Sequence, residues 1–391
     1  MLNVAIVGAN GFIGSRAVEM FHLNEWATVR PIVRHVPSLA RLSRFNLDSR
    51  VADALDQTAL RDAFLGCDVV VHAVAGDRQT ILETLAPTYW AAQEAGVKRL
   101  IYLSSAAVHS QAPAVGTDEN SPLSDRQPIA YNNAKVQAEQ KLRQLRSQGK
   151  VELVMLRPGI VFGPRSYWLT SFADQLLAGQ AYLVNGGKGI CNSIYVDNLV
   201  YAIYLATIAP GVDQEAFIVG DDEQLTWAEF YQPIAAALGF DFSAIHPVAY
   251  TPKSASLEEQ IEAVLASKPS LAFLSLFPNS WRQAARAALS TFFQDSQVSP
   301  WSFPQAAEVP EPIATLEMAL LHQCPYKLPD TKARRVFNYQ PLVSFPEACC
   351  RSIGWLAFAG YPVVDSDSSH CSIQVGDMGL PNPDLIRLHD N

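Results

Sequence analysis

Long hydrophobic runs are missing from this sequence. Its 391 residues are 49% hydrophobic, yet no stretch approaches the roughly 18 consecutive apolar residues that a membrane-spanning helix needs. The N-terminus also lacks a basic segment followed by an apolar stretch and a cleavage site. We therefore expect no stable membrane insertion.

Cysteine is scarce, and its few positions form no recognisable pattern. Neither zinc spacing nor the density of a disulfide scaffold is present among the six cysteines, Cys67, Cys191, Cys324, Cys349, Cys350 and Cys371. This pattern favours a reducing, cytoplasmic setting, and we expect no metal site.

An excess of basic residues is absent as well. Lysine and arginine number 29 against 38 acidic residues, which gives a net charge of −9, and no basic block is present that could follow a phosphate backbone. Nucleic acid is therefore not an expected partner. With only 17% charged residues, the chain also lies far from the composition of disordered proteins.

What the sequence does contain is an alternation of short apolar runs with longer mixed segments, which is typical of strands joined by crossover helices. The runs are rich in Val, Ile and Leu and show little polar alternation, as in strands buried on both faces of a parallel sheet. We predict strands at Asn3–Val7, Ala27–Val33, Arg50–Ala52, Asp68–Ala73, Arg99–Ser104 and Glu152–Arg157. The fold class is therefore α/β, with a doubly wound, Rossmann-type parallel sheet.

Helices are predicted between the strands. The alternation of strands and helices becomes less regular after residue 165. The predicted helices cover Gly14–Phe21, Gln57–Leu65, Ile81–Glu94, Tyr131–Arg146, 168–178, 197–208, 226–238, Leu257–Ser267 and Trp281–Phe293. We predict a dinucleotide-binding core over 1–165, to which 190–225 returns. A smaller interleaved substrate-binding lobe takes 166–189 and 226–363, and a polar tail takes 364–391.

Three glycines follow the first predicted strand directly and stand at the mouth of a helix. Gly8 allows a sharp turn, Gly11 allows close backbone approach to a pyrophosphate, and Gly14 permits tight helix packing. The N-terminus of the helix attracts the anion. The context predicts a dinucleotide-binding loop, although the spacing Gly-x-x-Gly-x-x-Gly differs from the simplest fingerprint.

That spacing resembles the short-chain dehydrogenase/reductase superfamily, in particular its extended branch, the NAD-dependent epimerase/dehydratase family. Further motifs of the family follow in order: Asp53-Ala54, His72-Ala73-Val74-Ala75, Tyr102 to Val108, Tyr131-x-x-x-Lys135, Arg157 to Pro164 and Tyr195 to Leu199. Together they cover residues 3–200, and a weaker likeness resumes near Pro329 to Tyr361. The ordered set carries the resemblance.

The resemblance implies a nicotinamide cofactor and the residues that bind it. These are Gly8, Asn10, Gly11, Phe12, Ile13, Gly14, Arg34, Asp53, Ala54, Ala73, Val74, Ala75, Ser104, Tyr131, Lys135, Pro158, Gly159 and Ile160. Where members that prefer NAD usually carry an acid, this chain has Arg34, which suits a 2′-phosphate. NADP is therefore favoured, with NAD as the alternative.

The predicted catalytic residues are Ser105, Tyr131 and Lys135. Tyr131 and Lys135 are four residues apart, so they share one face of a helix. A phenol with a pKa of about 10 is a poor base at neutral pH, and a neighbouring ammonium group can lower that value. Ser105 aligns with the family's active-site Ser/Thr, which implies a hydrogen bond to the reacting oxygen.

Departures from the family pattern narrow the expected reaction. The sugar-nucleotide dehydratases of the family place an Asp-Glu pair after the catalytic Ser/Thr, whereas this chain has Ala106-Ala107, so dehydration is disfavoured. We expect reversible hydride transfer at a secondary alcohol or ketone of a small metabolite. The alternatives are a nucleotide-sugar epimerase and a non-catalytic cofactor-binding scaffold.

The segment 250–325 carries the extra length of the chain. Its apolar stretches, Leu271 to Phe277 and Trp281 to Phe293, are predicted to form lobe core together with an oligomer contact, a hydrophobic substrate pocket or an interfacial membrane helix. By resemblance to the family, a homodimer is the expected assembly.

Overall fold

A computed structural model describes residues 1–249 and 314–364 of the chain. Labels below number the described helices and strands in chain order. The predicted helices Leu257–Ser267 and Trp281–Phe293, and the tail beyond residue 364, lie outside the described residues.

A seven-stranded parallel sheet forms the centre of the fold. Its strands lie in the order β11-β6-β5-β4-β1-β2-β3. They are β1 Asn3–Val7, β2 Thr28–Val33, β3 Arg50–Val51, β4 Val69–His72, β5 Arg99–Leu103, β6 Glu152–Pro158 and β11 Ala216–Val219. The order reverses between β1 and β4, which is where doubly wound sheets bind their ligands. The predicted α/β fold is confirmed.

Helices cover both faces of this sheet. They are α1 Phe12–Leu23, α2 Gln57–Phe64, α3 Arg78–Glu83, α4 Leu85–Glu94, α5 Ala130–Gln148, α6 Tyr167–Leu177, α7 Val196–Ile208, α8 Trp227–Ala237, α9 Leu316–Leu321, α10 Thr331–Phe337 and α11 Phe345–Phe358. On one face α1, α7 and α10 share a buried core with the sheet, and on the other face α2, α4 and α5 do so. No helix among the described residues has both the length and the apolar character needed to cross a bilayer.

Pro31 lies within β2, although proline is unusual inside a strand. Its position pairs with Ile6 of β1 on one side. On the other side β3 pairs only with Ile32 and Val33. Because β2 is an edge strand at Pro31, the strand tolerates a residue that has no N–H to donate.

The helix predicted over Ile81–Glu94 is two helices. Asp77 caps the first by accepting a hydrogen bond from the Thr80 N–H at 2.8 Å, so the helical segment begins at Arg78. The chain then breaks at Thr84, which ends α3 and precedes α4. The Thr84 Oγ1 atom lies 3.1 Å from Nε2 of the buried His72 ring.

A second unit of short strands and aromatic helices packs beside the sheet. Its strands are β7 Ile160–Phe162, β8 Tyr182–Val184, β9 Ile190–Cys191, β10 Ser193–Tyr195, β12 Leu225–Thr226 and β13 His246–Val248. Phe162, Trp227 and Phe230 lie in its buried core together with residues of α6 and α11. The chain therefore leaves the sheet after β6 and returns to it at β11, which interleaves the two units.

Candidate active site

The glycine loop turns where β1 ends, and each glycine has a steric reason. Gly8 has a φ of +85°, and a Cβ added there would lie 2.8 Å from the Ala73 carbonyl oxygen. A Cβ on Gly14 would collide with the Gly8 carbonyl oxygen. Gly11 precedes α1 as its N-cap residue. The loop therefore holds its backbone close to β4 and to the first turn of α1.

The N-terminus of α1 fits an anionic cofactor. The helix has 12 residues, no side chain caps its first turn, and that turn contains no acidic residue. The turn includes Phe12, Ile13 and Gly14, whose backbone amides head the helix. A pyrophosphate group suits such an end, because free amides and the helix dipole both attract negative charge.

Arginine side chains lie around this loop. The Arg41 guanidinium donates to the Asn10 carbonyl oxygen at 3.3 Å, and Arg165 donates to the Ser15 hydroxyl at 2.7 Å. Burial, and then the positive charge of Arg41, lowers the pKa of Arg165. Arg34 is exposed at the end of β2. Sequence reasoning found Arg34 but missed Arg41, which stands seven residues further on in an arginine-rich segment.

The remaining predicted cofactor residues line the carboxyl ends of the central strands. Asp53 and Ala54 follow β3, and the Asp53 carboxylate accepts from the Leu55 N–H at 3.0 Å. Ala73, Val74 and Ala75 follow β4, and Ser104 follows β5. Pro158 ends β6, Gly159 follows it, and Ile160 begins β7. The structure thus gathers them along one edge of the sheet.

Ser105, Tyr131 and Lys135 come together at the same edge. Ser105 follows β5 and accepts a hydrogen bond from the Ala107 N–H at 3.2 Å, capping a short 3₁₀ helix. The Lys135 ammonium donates to the Leu103 carbonyl oxygen at 2.8 Å. It lies 5.9 Å from the centroid of the Tyr131 ring. α5 therefore carries the phenol and the ammonium toward the end of β5.

Burial changes the proton affinities of both groups on α5. Although Tyr131 as a whole residue is 41% exposed, burial around its hydroxyl raises its pKa, and hydrogen bonding with Ser105 lowers it in part. Burial lowers the pKa of the Lys135 ammonium to about 8. The pair can hold and move a proton, with Lys135 charged below that pH.

A buried ion pair that sequence reasoning missed lies behind these residues. The Arg157 guanidinium donates to Glu139 at 2.9 and 2.6 Å, and the Ser104 hydroxyl donates to the same carboxylate at 2.6 Å. Both charged side chains are at most 2% exposed. Glu139 stands four residues after Lys135, so it shares the face of α5 that carries the predicted catalytic residues. That spacing was the available signal.

Three other polar residues near the site make structural contacts. Asp197 accepts from Arg16 on α1 at 2.6 Å and from Arg351 on α11 at 3.0 Å, so it braces the junction with the lobe. His109 lies 3.1 Å from the Arg157 guanidinium, behind the site. His72 is buried in β4 and contacts Thr84.

A cleft of about 380 Å³ opens beside Ser105. Its walls come from the end of β5, from β7 and from the lobe, and they include Ser105, Ala107, Gln111, Ile160, Asn192 and Leu321. The walls combine apolar surface with a few amide and hydroxyl groups, as small-molecule sites do.

Curated proteins with similar sequences are dehydrogenases, reductases and epimerases. The chain is 24% identical over 273 residues to a decarboxylating sterol-4-alpha-carboxylate 3-dehydrogenase of Dictyostelium discoideum, covering 66% of this chain and 83% of that protein. A UDP-glucose 4-epimerase of Vibrio cholerae is 27% identical over 60% of this chain and 76% of its own length. A 3-diazoavenalumate denitrifying reductase of a Streptomyces species is 30% identical over 64% of this chain and 86% of that protein.

Solved structures share the fold. A UDP-glucose 4-epimerase of Thermotoga maritima superposes with a TM-score of 0.62 at 19% identity, over 92% of this chain and 99% of that one. A dTDP-glucose 4,6-dehydratase of Streptomyces venezuelae, solved with NAD bound, gives a TM-score of 0.65 at 18% identity, over 91% and 97%. The sequence pattern of the NAD dependent epimerase/dehydratase family matches residues 4–220. With more than half of its length matched, this chain belongs to the NAD-dependent epimerase/dehydratase family.

Proposed function

We propose that this chain catalyses reversible oxidation of a secondary alcohol to a ketone on a small metabolite, with Tyr131 as the acid and base. The family already makes it an NAD(P)-dependent enzyme of the dehydrogenase, reductase or epimerase kind. The observation that carries the finer proposal is the meeting of Ser105, Tyr131 and Lys135 at the edge of one cleft.

Each residue has a role that follows from its position. The glycine loop and the first turn of α1 would hold the pyrophosphate, and Lys135 would hold the nicotinamide ribose. When bound, the nicotinamide ring accepts or returns a hydride. Ser105 would donate a hydrogen bond to the substrate oxygen, and Tyr131 would take up or release the proton of that oxygen.

An epimerase is the second candidate. The likeness to UDP-glucose 4-epimerases in sequence favours it. The wall after Ser105 consists of Ala106 and Ala107, which offer no side-chain acid or base, so it disfavours dehydration and leaves epimerisation open. The similarity to a sterol-4-alpha-carboxylate 3-dehydrogenase and to a 3-beta-hydroxysteroid dehydrogenase of Mycolicibacterium neoaurum supports the oxidoreductase.

Cofactor absorbance separates these candidates. A net change at about 340 nm during turnover indicates a dehydrogenase or reductase, whereas conversion without a net change indicates an epimerase. Tight cofactor binding without conversion of any alcohol, ketone or sugar would favour the scaffold.

Tyr131→Phe should reduce turnover by about 10²-fold or more while leaving the dissociation constant of the cofactor within about twofold, because the phenol hydroxyl acts on the substrate. Full activity of that variant would contradict the proposal.

NADP is the proposed cofactor. Arg34 at the end of β2 and Arg41 beside Asn10 supply positive charge where a 2′-phosphate would lie, and such groups bind phosphate by paired hydrogen bonds. Equal dissociation constants for NADPH and NADH would contradict this preference, and Arg34→Ala should weaken NADPH binding more than NADH binding.

We propose a homodimer and a cytoplasmic location. The family resemblance favours the first. Cys67, Cys191, Cys324 and Cys349 form no disulfide among the described residues, which suits a reducing compartment. Sedimentation analysis of the purified protein tests the assembly, and microscopy of a tagged chain tests the location.

A further inference from the structure

Helix α9 brings an acidic side chain to the cleft. Leu321 of this helix lines the cleft together with Ser105. Glu317 stands one turn earlier, four residues before Leu321, so the two residues share one face of the helix. The lobe thus places a carboxylate one helical turn from a residue that lines the cleft together with the predicted catalytic serine.

A buried amide fixes the position of that carboxylate. Gln111 lines the cleft and is 8% exposed. Its side-chain amide donates to Glu317 Oε1 at 2.8 Å. The contact joins residues 206 positions apart in sequence, so Glu317 is held from the opposite wall and not by its own helix.

The carboxylate has no charged partner within residues 1–249 and 314–364. No lysine, arginine or histidine of those residues lies within ion-pair distance, and Glu317 Oε2 receives no hydrogen bond from them. The negative charge of Glu317 also acts on the Tyr131 hydroxyl, whose pKa it raises. A half-buried carboxylate beside a reacting phenol, with one oxygen that receives no hydrogen bond from the described residues, is costly to desolvate unless a ligand donates to it.

We propose that Glu317 is a specificity-determining residue that selects substrates carrying a hydrogen-bond donor, an ammonium or a hydroxyl group, near the reacting carbon. A substrate with a carboxylate or phosphate at that position would meet like charge and bind weakly. The inference rests on the proposed function, since it assigns the substrate side of the same cleft.

Three cyclohexanols of similar shape provide the probes. They carry at position 4 an ammonium group (4-aminocyclohexanol), a methyl group (4-methylcyclohexanol) or a carboxylate (4-hydroxycyclohexanecarboxylate). Their dissociation constants are measured by calorimetry on the full chain saturated with NADP⁺, and again with NAD⁺. We expect the ammonium probe to bind about tenfold or more tighter than the carboxylate probe, with the methyl probe between them.

Glu317→Gln is the test variant, because it keeps the shape and removes the charge. It should reduce the preference for the ammonium probe to about threefold or less. Glu25→Gln is the matched control: Glu25 is exposed before β2, at the opposite edge of the sheet, so this variant makes the same change of net charge and should keep the wild-type preference. Circular dichroism confirms that both variants are folded.

The outcomes separate the two proposals. Equal binding of the three probes, no binding of any of them, or an unchanged preference in Glu317→Gln would overturn the role of Glu317. Oxidation of the same alcohols, followed by cofactor absorbance, tests the proposed function separately. A preference that depends on Glu317 without oxidation of any alcohol would support the inference and contradict the proposed reaction, whereas oxidation without that preference would contradict the inference alone.

Discussion

Lys135 is an ammonium group that is only 4% exposed. It donates to the Leu103 carbonyl oxygen and, at 3.3 Å, to the Tyr102 hydroxyl, and its pKa is lowered to about 8 by burial, with a partial offset from Glu139. A buried cation of this kind can lose its charge within the working pH range of an enzyme.

Cofactor affinity should therefore depend on pH. Lys135 is charged below a pH of about 8 and neutral above it, so the dissociation constant of NADPH should rise as the pH rises through that value. Fluorescence titration between pH 6.5 and 9.5 measures this effect. Lys135→Arg should bind more weakly throughout but show no such rise, since a guanidinium stays charged. The same pH profile in both proteins would contradict the assignment.

The ion pair of Glu139 and Arg157 is the most deeply buried charge pair among the described residues. Removing one partner of such a pair leaves the other charge buried without compensation. Glu139→Gln should therefore lower the free energy of unfolding by about 3–5 kcal/mol, as measured by urea denaturation. The control is Glu347→Gln, which breaks an exposed pair with Arg351 and should cost at most about 1 kcal/mol. Equal losses would contradict this account.

Among the elements, α1 depends on the smallest clearance. Gly14→Ala would drive a methyl group into the Gly8 carbonyl oxygen, where backbone on both sides prevents relaxation. We expect a loss of about 1–3 kcal/mol of stability and weaker cofactor binding, because the loop must move. Gly354→Ala is the matched control: no atom lies within 4 Å of its added Cβ. That exposed helical site should gain about 0.5–1 kcal/mol, and thermal melting compares the two.

The observed strands and helices also show how much of the fold could be predicted from the sequence. The central strands are continuous apolar runs, and all six predicted strands begin and end within one residue of the observed limits, as β5 does at Arg99. The strands of the lobe have two or three residues, which is too short for periodicity to indicate them. The break at Thr84 agrees with a local signal that sequence reasoning missed, because Pro87 is tolerated in the first turn of α4 but would interrupt a helix that had already begun.

The site could be predicted where its residues stand in one local motif. Ser105, Tyr131 and Lys135 stand in motifs that follow a strand or share a helix face, so the resemblance to the family indicates them, whereas the Tyr-x-x-x-Lys spacing alone is a weak signal. Arg157 and Glu317 could not be found in this way, because their partners lie 18 and 206 residues away along the chain. Only the folded structure brings those partners into contact. The cofactor and catalytic roles assigned to the predicted residues, and the domain limits, stay predictions.

At the scale of the whole molecule, buried titratable groups set the response to acid. Burial lowers the pKa of His72 to about 3 and the pKa values of His109 and His322 to about 4. In the unfolded chain these rings take up protons below a pH of about 6.5. Their contribution to stability is therefore complete above that pH and is lost as the pH falls toward the folded values. Burial raises the pKa of Asp221 to about 7, which acts in the opposite direction.

The opposing pKa shifts of the histidines and Asp221 predict how the free energy of unfolding changes with pH. Between pH 6 and 5 the unfolded chain binds about three more protons on the histidines, and the folded chain binds about one more on Asp221. The net difference of about two protons should lower the free energy of unfolding by roughly 2–3 kcal/mol per pH unit. Urea denaturation at several pH values measures it. In His322→Asn the amide oxygen can replace Nδ1 as acceptor of the Val184 N–H, so the slope should fall by about half. An unchanged slope would contradict this assignment.

The contacts of the Asp197 carboxylate couple the unfolding of the two units. Because it is bonded to Arg16 on the helix of the glycine loop and to Arg351 on the last described helix, neither unit can open without exposing a charge that the other unit satisfies. We therefore expect calorimetry to record one cooperative melting transition for both units, and added cofactor to raise the temperature of that single transition.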